Sequence, residues 1–194
     1  SQIAFTVKVR GKASHAGFAP QDGVHAIRIA ATAIAEMAIG RIGDDTTVNV
    51  GHIEGGRASN IVPDYCEVSG ELRSFSHKKA LEELAKVEQI FAKEAEKCGG
   101  SIEFIRDICY QAYKTDENES VVKEFQKACT ACGIKSSLIA TFGGSDQNKM
   151  SEHGIPGIVM ASAMHQVHSC QEYTEVSEMA QVAGIVSELL QMKE

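Results

Sequence analysis

Apolar and polar residues alternate over residues 3–10, with Phe5, Val7 and Val9 on one face. A period of two predicts a half-buried strand. A loop rich in Gly and Ala follows over 11–23. The period then lengthens. Ile27, Ile34 and Met37 recur near helical spacing, with Ala30 and Ala38 between them, so a helix is expected to about Ile39, ended by Gly40 and Gly43. Val48 and Val50 mark a second strand over 46–53, and a third is expected over 65–75. Ser76 is placed to cap a second helix reaching Cys98, with Leu81, Leu84, Val87 and Phe91 on one side and Gly99 and Gly100 as the stop. Residues 102–110 read as a fourth strand. The order β-α-β-β-α-β over 1–111 is the ferredoxin-like split motif, an antiparallel four-stranded sheet with two helices on one face.

The remainder reads differently. A helix is expected over 117–132, with Val121, Val122, Phe125, Ala128 and Cys132 on its apolar face. Short buried strands are expected over 138–141 and 155–160. A last helix, capped by Ser177, turns Met179, Val182, Val186 and Leu189 inward. Helices alternating with short apolar strands imply a parallel α/β layer. Two strands and two main helices bury little apolar surface, so this half reads as short of a partner layer. The fold class is therefore α+β: a ferredoxin-like unit followed by an α/β part.

Composition narrows the function classes. No apolar run of about 18 residues occurs, which argues against a membrane span; the longest apolar-leaning stretch, 26–39, is broken by Arg28, Thr32 and Glu36. The net charge is −7 and Lys and Arg do not cluster, so no nucleic-acid footprint is present. Six cysteines scatter through apolar positions of a 194-residue chain large enough to form a core without staples. They read as reduced thiols of a cytoplasmic protein. No signal peptide precedes the first strand, and the absence of an initiating Met leads to the expectation that the chain starts inside a longer protein.

Two loops carry candidate chemistry. Phe142-Gly143-Gly144-Ser145-Asp146 follows the expected strand at 138, and His165 and His168 follow the one at 155. Ligand sites in parallel α/β sheets lie beyond the carboxyl ends of strands, so parallel strands here would bring both loops to one edge. Glycines let backbone N–H groups approach a ligand. The same residues also suit a tight turn with Asp146 capping a short helix. His168 suits either a metal ion or an ordinary surface position.

Five segments, taken in order, resemble the dizinc peptidase family that includes peptidase T, aminoacylase and glutamate carboxypeptidase. They are Gly11-Lys12-Ala13-Ser14-His15-Ala16-Gly17, Ser59-Asn60-Ile61-Val62-Pro63-Asp64, Gly70-Glu71-Leu72-Arg73, Gly143-Gly144-Ser145-Asp146, and Val167-His168-Ser169 with Glu172. The Gly-Gly-Ser-Asp-Gln-Asn version and the Val-His-Ser ending look closest to the peptidase T-like branch. The resemblance implies a lid or dimerisation domain over 1–111 and the C-terminal portion of a catalytic α/β domain over 112–194. It implies that His15 reaches a partner's active site and helps hold the substrate carbonyl oxygen. Asn60 and Arg73 would bind the substrate's backbone and carboxylate, a role suited to the bidentate guanidinium. Gly143 and Gly144 would line the substrate pocket, and His168 would be the last ligand of a site holding two zinc ions.

The family's remaining ligands and its general base, a glutamate, belong to an N-terminal half that would precede Ser1. Nothing replaces them: His52-Ile53-Glu54 lies in a strand without companions, Glu82-Glu83 is a solvated helix face, and Cys129-Thr130-Ala131-Cys132 is a single CxxC within a helix. The resemblance thus implies a cytoplasmic zinc metallopeptidase of the tripeptide aminopeptidase kind. It would act on short peptides as a homodimer through the lid, and the present chain would be inactive alone. A non-catalytic dimerisation or peptide-binding fragment, and an amidohydrolase or deacylase of the same family, are the alternatives.

Overall fold

Strand β1 (Gln2–Arg10) is the centre of the first of two compact units in the computed structural model, which describes residues 1–192. Its alternation is realised in full: Ile3, Phe5, Val7 and Val9 are all at most 2% exposed. β1 pairs antiparallel with β4 (Tyr65–Ser74) on one side and β5 (Ser101–Tyr110) on the other. β3 (Thr46–Gly55) pairs with β4, and a short β2 (Gly40–Ile42) closes the edge. The order is β2-β3-β4-β1-β5, antiparallel throughout.

The sheet therefore has five strands, not four. Gly40 and Gly43 do not end a helix. Helix α1 (Ala26–Glu36) stops earlier, at Met37. The two glycines take φ of 92° and 61°, conformations open to glycine, and turn residues 40–42 back along β3 as a hairpin.

Helices α1 and α2 (His77–Lys97) cover one face of the sheet. Ala26, Ala30, Ala33, Ala80 and Ala95 are buried and let both helices lie close to it, with Ile29, Leu84, Val87 and Phe91 filling the layer. Leu81, expected inward, is 37% exposed, and Ala80 takes the inward place. Ser76 caps α2 as expected, its Oγ accepting from Lys79 N at 3.4 Å.

Gly70 sits where this layer is tightest. A Cβ there would stand 2.4 Å from Phe5 Cζ and 2.3 Å from the Asn49 carbonyl oxygen. Gly70→Ala is expected to destabilise the unit by about 2–3 kcal/mol, because both the ring and a neighbouring strand must move. A urea midpoint unchanged from the parent would contradict this packing.

The second unit, from Tyr113 onward, is built from α3 (Ser120–Ala131), α4 (Asp146–Glu152) and α5 (Val176–Gln191), with a two-residue hairpin of β6 (Met164–His165) and β7 (Tyr173–Thr174). Ala128, Cys129 and Ile185 form its small core, flanked by Phe125, Ile134, Met160 and Leu189. The strands expected over 138–141 and 155–160 are not formed. A strand needs a neighbour to take its N–H and C=O groups. Among the described residues neither run has one, and Ile139, Ile155 and Val159 are exposed.

Other boundaries shift for local reasons. Asp116 accepts from Asn118 N at 2.8 Å, a turn that delays α3 to Ser120. Glu175, not Ser177, occupies the N-cap position of α5, and Met179 and Val186 face outward. Among the described residues, no helix is long and apolar enough to cross a membrane.

Candidate functional site

The loop after β1 and the loop before β4 are laced together by backbone hydrogen bonds. Gly11 N donates to Asp64 O, Ala16 N to Asn60 O, and Val62 N to Ser14 O, at 2.8–2.9 Å. Lys12 and Val24 bridge across the base of the first loop, where a Cβ on Gly11 would lie 2.0 Å from the Val24 carbonyl oxygen. The apex is therefore a fixed turn, and His15 sits on it, bridged to Ile61.

The His15 ring is held by its own turn. Nδ1 accepts from Gly17 N at 3.1 Å and Phe18 N at 3.2 Å. Backbone N–H groups only donate, so Nδ1 is unprotonated and the neutral ring carries its proton on Nε2. The Phe18 ring lies 4.3 Å from the imidazole and is itself 86% exposed. His15 is exposed too. The arrangement presents one preoriented N–H donor to whatever docks against this turn.

Asn60 lies beside His15, but Arg73 does not. Arg10 pairs with Tyr65 at one end of β4, and Gln2 pairs with Arg73 near the other. Arg73 lies eight positions along the strand from Tyr65, roughly 26 Å at about 3.3 Å per residue. His15 and Asn60 thus form one cluster, and Arg73 marks the opposite end of the sheet's helix-free face.

Arg73 is engaged there by a residue two positions away on the same face, Glu71. Nε donates to Oε1 at 2.8 Å and Nη2 to Oε2 at 3.2 Å, and Gln2 Nε2 donates to the same carboxylate at 2.6 Å. The Glu71 hydrogen bonds hold Arg73 still further in its cationic form. Inspecting i and i+2 of the Gly70-Glu71-Leu72-Arg73 segment would have exposed this pair, since alternate strand residues share a face.

In the second unit, the Gly143-Gly144 loop leads into α4, with Gly143 N donating to Thr141 Oγ1 at 3.1 Å. Ser145, not Asp146, is the N-cap. Asn148 reaches back so that its Oδ1 accepts from Ser145 N at 3.0 Å, and Asp146 falls in the first turn. The loop is a capped turn with Ser145 rather than Asp146 as its cap, and Gly143 and Gly144 are exposed.

Three non-glycine residues with left-handed backbone lie within six positions: Ala163 (φ 60°), Gln166 (φ 51°) and His168 (φ 66°). Such residues are uncommon, and a cluster of them marks a segment held by its surroundings. Thr174 Oγ1 donates to Ala163 O at 2.6 Å, Ser169 Oγ donates to Gln166 O at 2.8 Å, and His168 N donates to Glu172 Oε2 at 2.9 Å. His168 is exposed. His165 is used differently: it stacks on Tyr173 at 4.8 Å and shares a 2.6 Å hydrogen bond with Glu178 Oε2 on α5. Glu178 had no sequence signal, because it lies thirteen residues away on another element.

Among the described residues, no group of three or more His, Cys, Asp or Glu side chains is arranged to hold a metal ion. Cys129 and Cys132 belong to the core of the unit. Burial pushes the Cys129 thiol pKa up, with Cys132 adding to the effect, the reverse of a reactive thiolate.

The family model for the peptidase dimerisation domain matches residues 1–98. Aminopeptidase PepT from Bacillus cereus is 36% identical, with a TM-score of 0.87 over 98% of this chain and 51% of that one. A tripeptidase from Staphylococcus aureus is 31% identical, with a TM-score of 0.92 over the same shares of the two chains. The uncharacterized protein YqjE of Bacillus subtilis is 34% identical over 98% of this chain and 52% of its own length. The chain spans about half the length of these relatives.

Proposed function

This chain belongs to the family of the peptidase dimerisation domain, and from that premise we propose that it is the lid and the C-terminal catalytic portion of a zinc-dependent peptidase acting on short peptides in the cytoplasm. Residues 1–111 are the lid through which two copies pair, and residues 112–194 are the C-terminal portion of the catalytic domain. The likeness to an aminopeptidase and a tripeptidase supports the reading of the substrate as a short peptide with free ends. The observation that carries the proposal is His15. Its Nδ1 is occupied by two backbone N–H groups, so Nε2–H is set to donate to a carbonyl oxygen. A donor fixed before the substrate arrives costs no reorganisation as charge develops on that oxygen.

The other roles follow from chemistry. Arg73 takes the substrate carboxylate, Asn60 takes peptide backbone, and Gly143 and Gly144 line the pocket with accessible backbone. A tripeptide spans only about 10 Å when extended, so Arg73 and the His15–Asn60 pair of one chain serve different active sites. Each site takes its His15 and Asn60 from the partner copy.

His168 fits one corner of a zinc site: an exposed imidazole on a backbone tied to Glu172. The described residues fit no more than that, since a catalytic zinc needs three protein ligands. When bound, zinc supplies polarisation of the scissile carbonyl. The 194-residue chain by itself is therefore expected to bind zinc weakly and to leave tripeptides intact, yet to sediment as a dimer at tens of micromolar. Zinc-dependent hydrolysis by this purified chain would refute the division of ligands, and a monomer would refute lid pairing. The longer protein that carries the chain is expected to cleave tripeptides in a chelator-sensitive way.

A further inference from the structure

The pairing of Arg73 with Glu71 has a consequence for which peptides are preferred. Both side chains project from the helix-free face of β4, and both are partly open to solvent, at 30% and 37%. The pair is bidentate, and Gln2 fixes the Glu71 carboxylate from the neighbouring strand. Glu71 takes the fork of parallel N–H groups formed by Nε and Nη2 of the guanidinium. The subsite is thus a cation with an anion already bound to it, not a lone positive charge.

We infer that Glu71 is a specificity-determining residue: it acts as an internal carboxylate at the Arg73 subsite and weakens the enzyme's preference for peptides ending in a free carboxylate. This rests on the reading of Arg73 as the carboxylate clamp. A second carboxylate approaching the guanidinium is attracted by Arg73 and repelled by Glu71. A neutral C-terminal amide meets no such repulsion. The Arg73–Glu71 pair therefore narrows the gap between acid and amide substrates that Arg73 alone would open.

Glu71→Gln tests this because it keeps shape and an oxygen acceptor while removing the charge. In the longer protein, kcat/KM for a tripeptide and for its C-terminal amide are compared in the parent, Glu71→Gln and Arg73→Ala. Glu71→Gln is expected to raise the acid-to-amide ratio about fivefold, through a lower KM for the acid with kcat unchanged. A ratio that stays the same or falls overturns the inference. Arg73→Ala is expected to bring the ratio to unity or below, because the attraction is lost and the Glu71 charge remains. If it leaves the ratio untouched, the clamp reading fails and the inference falls with it. If Arg73→Ala acts and Glu71→Gln does not, only the inference fails. A second measurement needs no turnover. N-acetylglycine titrated into the 194-residue chain, read from the Arg73 Nε–H NMR signal, should bind about fivefold more tightly to Glu71→Gln than to the parent. Equal or weaker binding overturns the inference.

Discussion

Two crippled variants, His15→Ala and Arg73→Ala, are expected to regain about a quarter of the parent activity when mixed and allowed to exchange subunits. Each variant alone loses a contact at both sites of its dimer. Removing a fixed donor to a developing oxyanion costs roughly 100- to 1,000-fold in kcat. Losing a charge-assisted bidentate contact costs on the order of 2–4 kcal/mol, or about 30- to 1,000-fold in kcat/KM. In a mixed dimer one site receives both substitutions and the other receives neither. Random exchange makes about half the dimers mixed, and each carries one intact site of two. The separation of His15 from Arg73 drives the expectation. The two lie at opposite ends of β4, so a short peptide held by Arg73 lies beyond the reach of His15 on the same chain. Sites made within one chain would give only the mean of two weak activities, and that result would end the shared-site reading.

Legibility from sequence differed between the halves, and for a physical reason. In the first unit the strands are buried on one face only, so periodicity reports the fold directly: Phe5, Val7 and Val9 alternate as read and are buried as read. The one missed strand, β2, is three residues long and shows no alternation, and its signal was the turn around Gly43 rather than the strand itself. In the second unit the apolar runs at 138–141 and 155–160 are real, but apolar content alone does not make a strand. Pairing does, and their partners are not among the described residues. The motif residues were all legible by type. What the sequence could not carry was their distance from one another. Asn60 and Arg73, thirteen positions apart, read as one clamp until the extended β4 set them apart. Glu71 has no legible role within its motif, because an ion pair is a property of two side chains and a face.

His168→Gly in the longer protein is expected to abolish turnover and most zinc binding while leaving folding stability within about 1 kcal/mol of the parent. The backbone at His168 is left-handed, with φ of 66°. Holding a residue with a Cβ there costs roughly 1–2 kcal/mol. Glycine adopts the same backbone without that cost but gives up more freedom on folding, and the two effects nearly cancel. The side chain makes no packing contribution to the core of the unit, so nothing structural calls for histidine at this position. Its retention in a strained conformation is explained if the imidazole is needed for chemistry. His168→Ala loses the ring and keeps the strain without the added chain freedom of glycine; it is expected to match His168→Gly in zinc content and kcat and also to stay within about 1 kcal/mol of the parent. Arg73→Ala provides the contrast: the group it grips stays charged throughout the reaction, so its loss should appear in KM with zinc content intact. Steady-state kinetics, metal analysis and denaturant unfolding on the three variants distinguish these roles. A His168→Gly protein that keeps its zinc and its kcat would remove His168 from the metal site, and one that fails to fold would make it a structural residue.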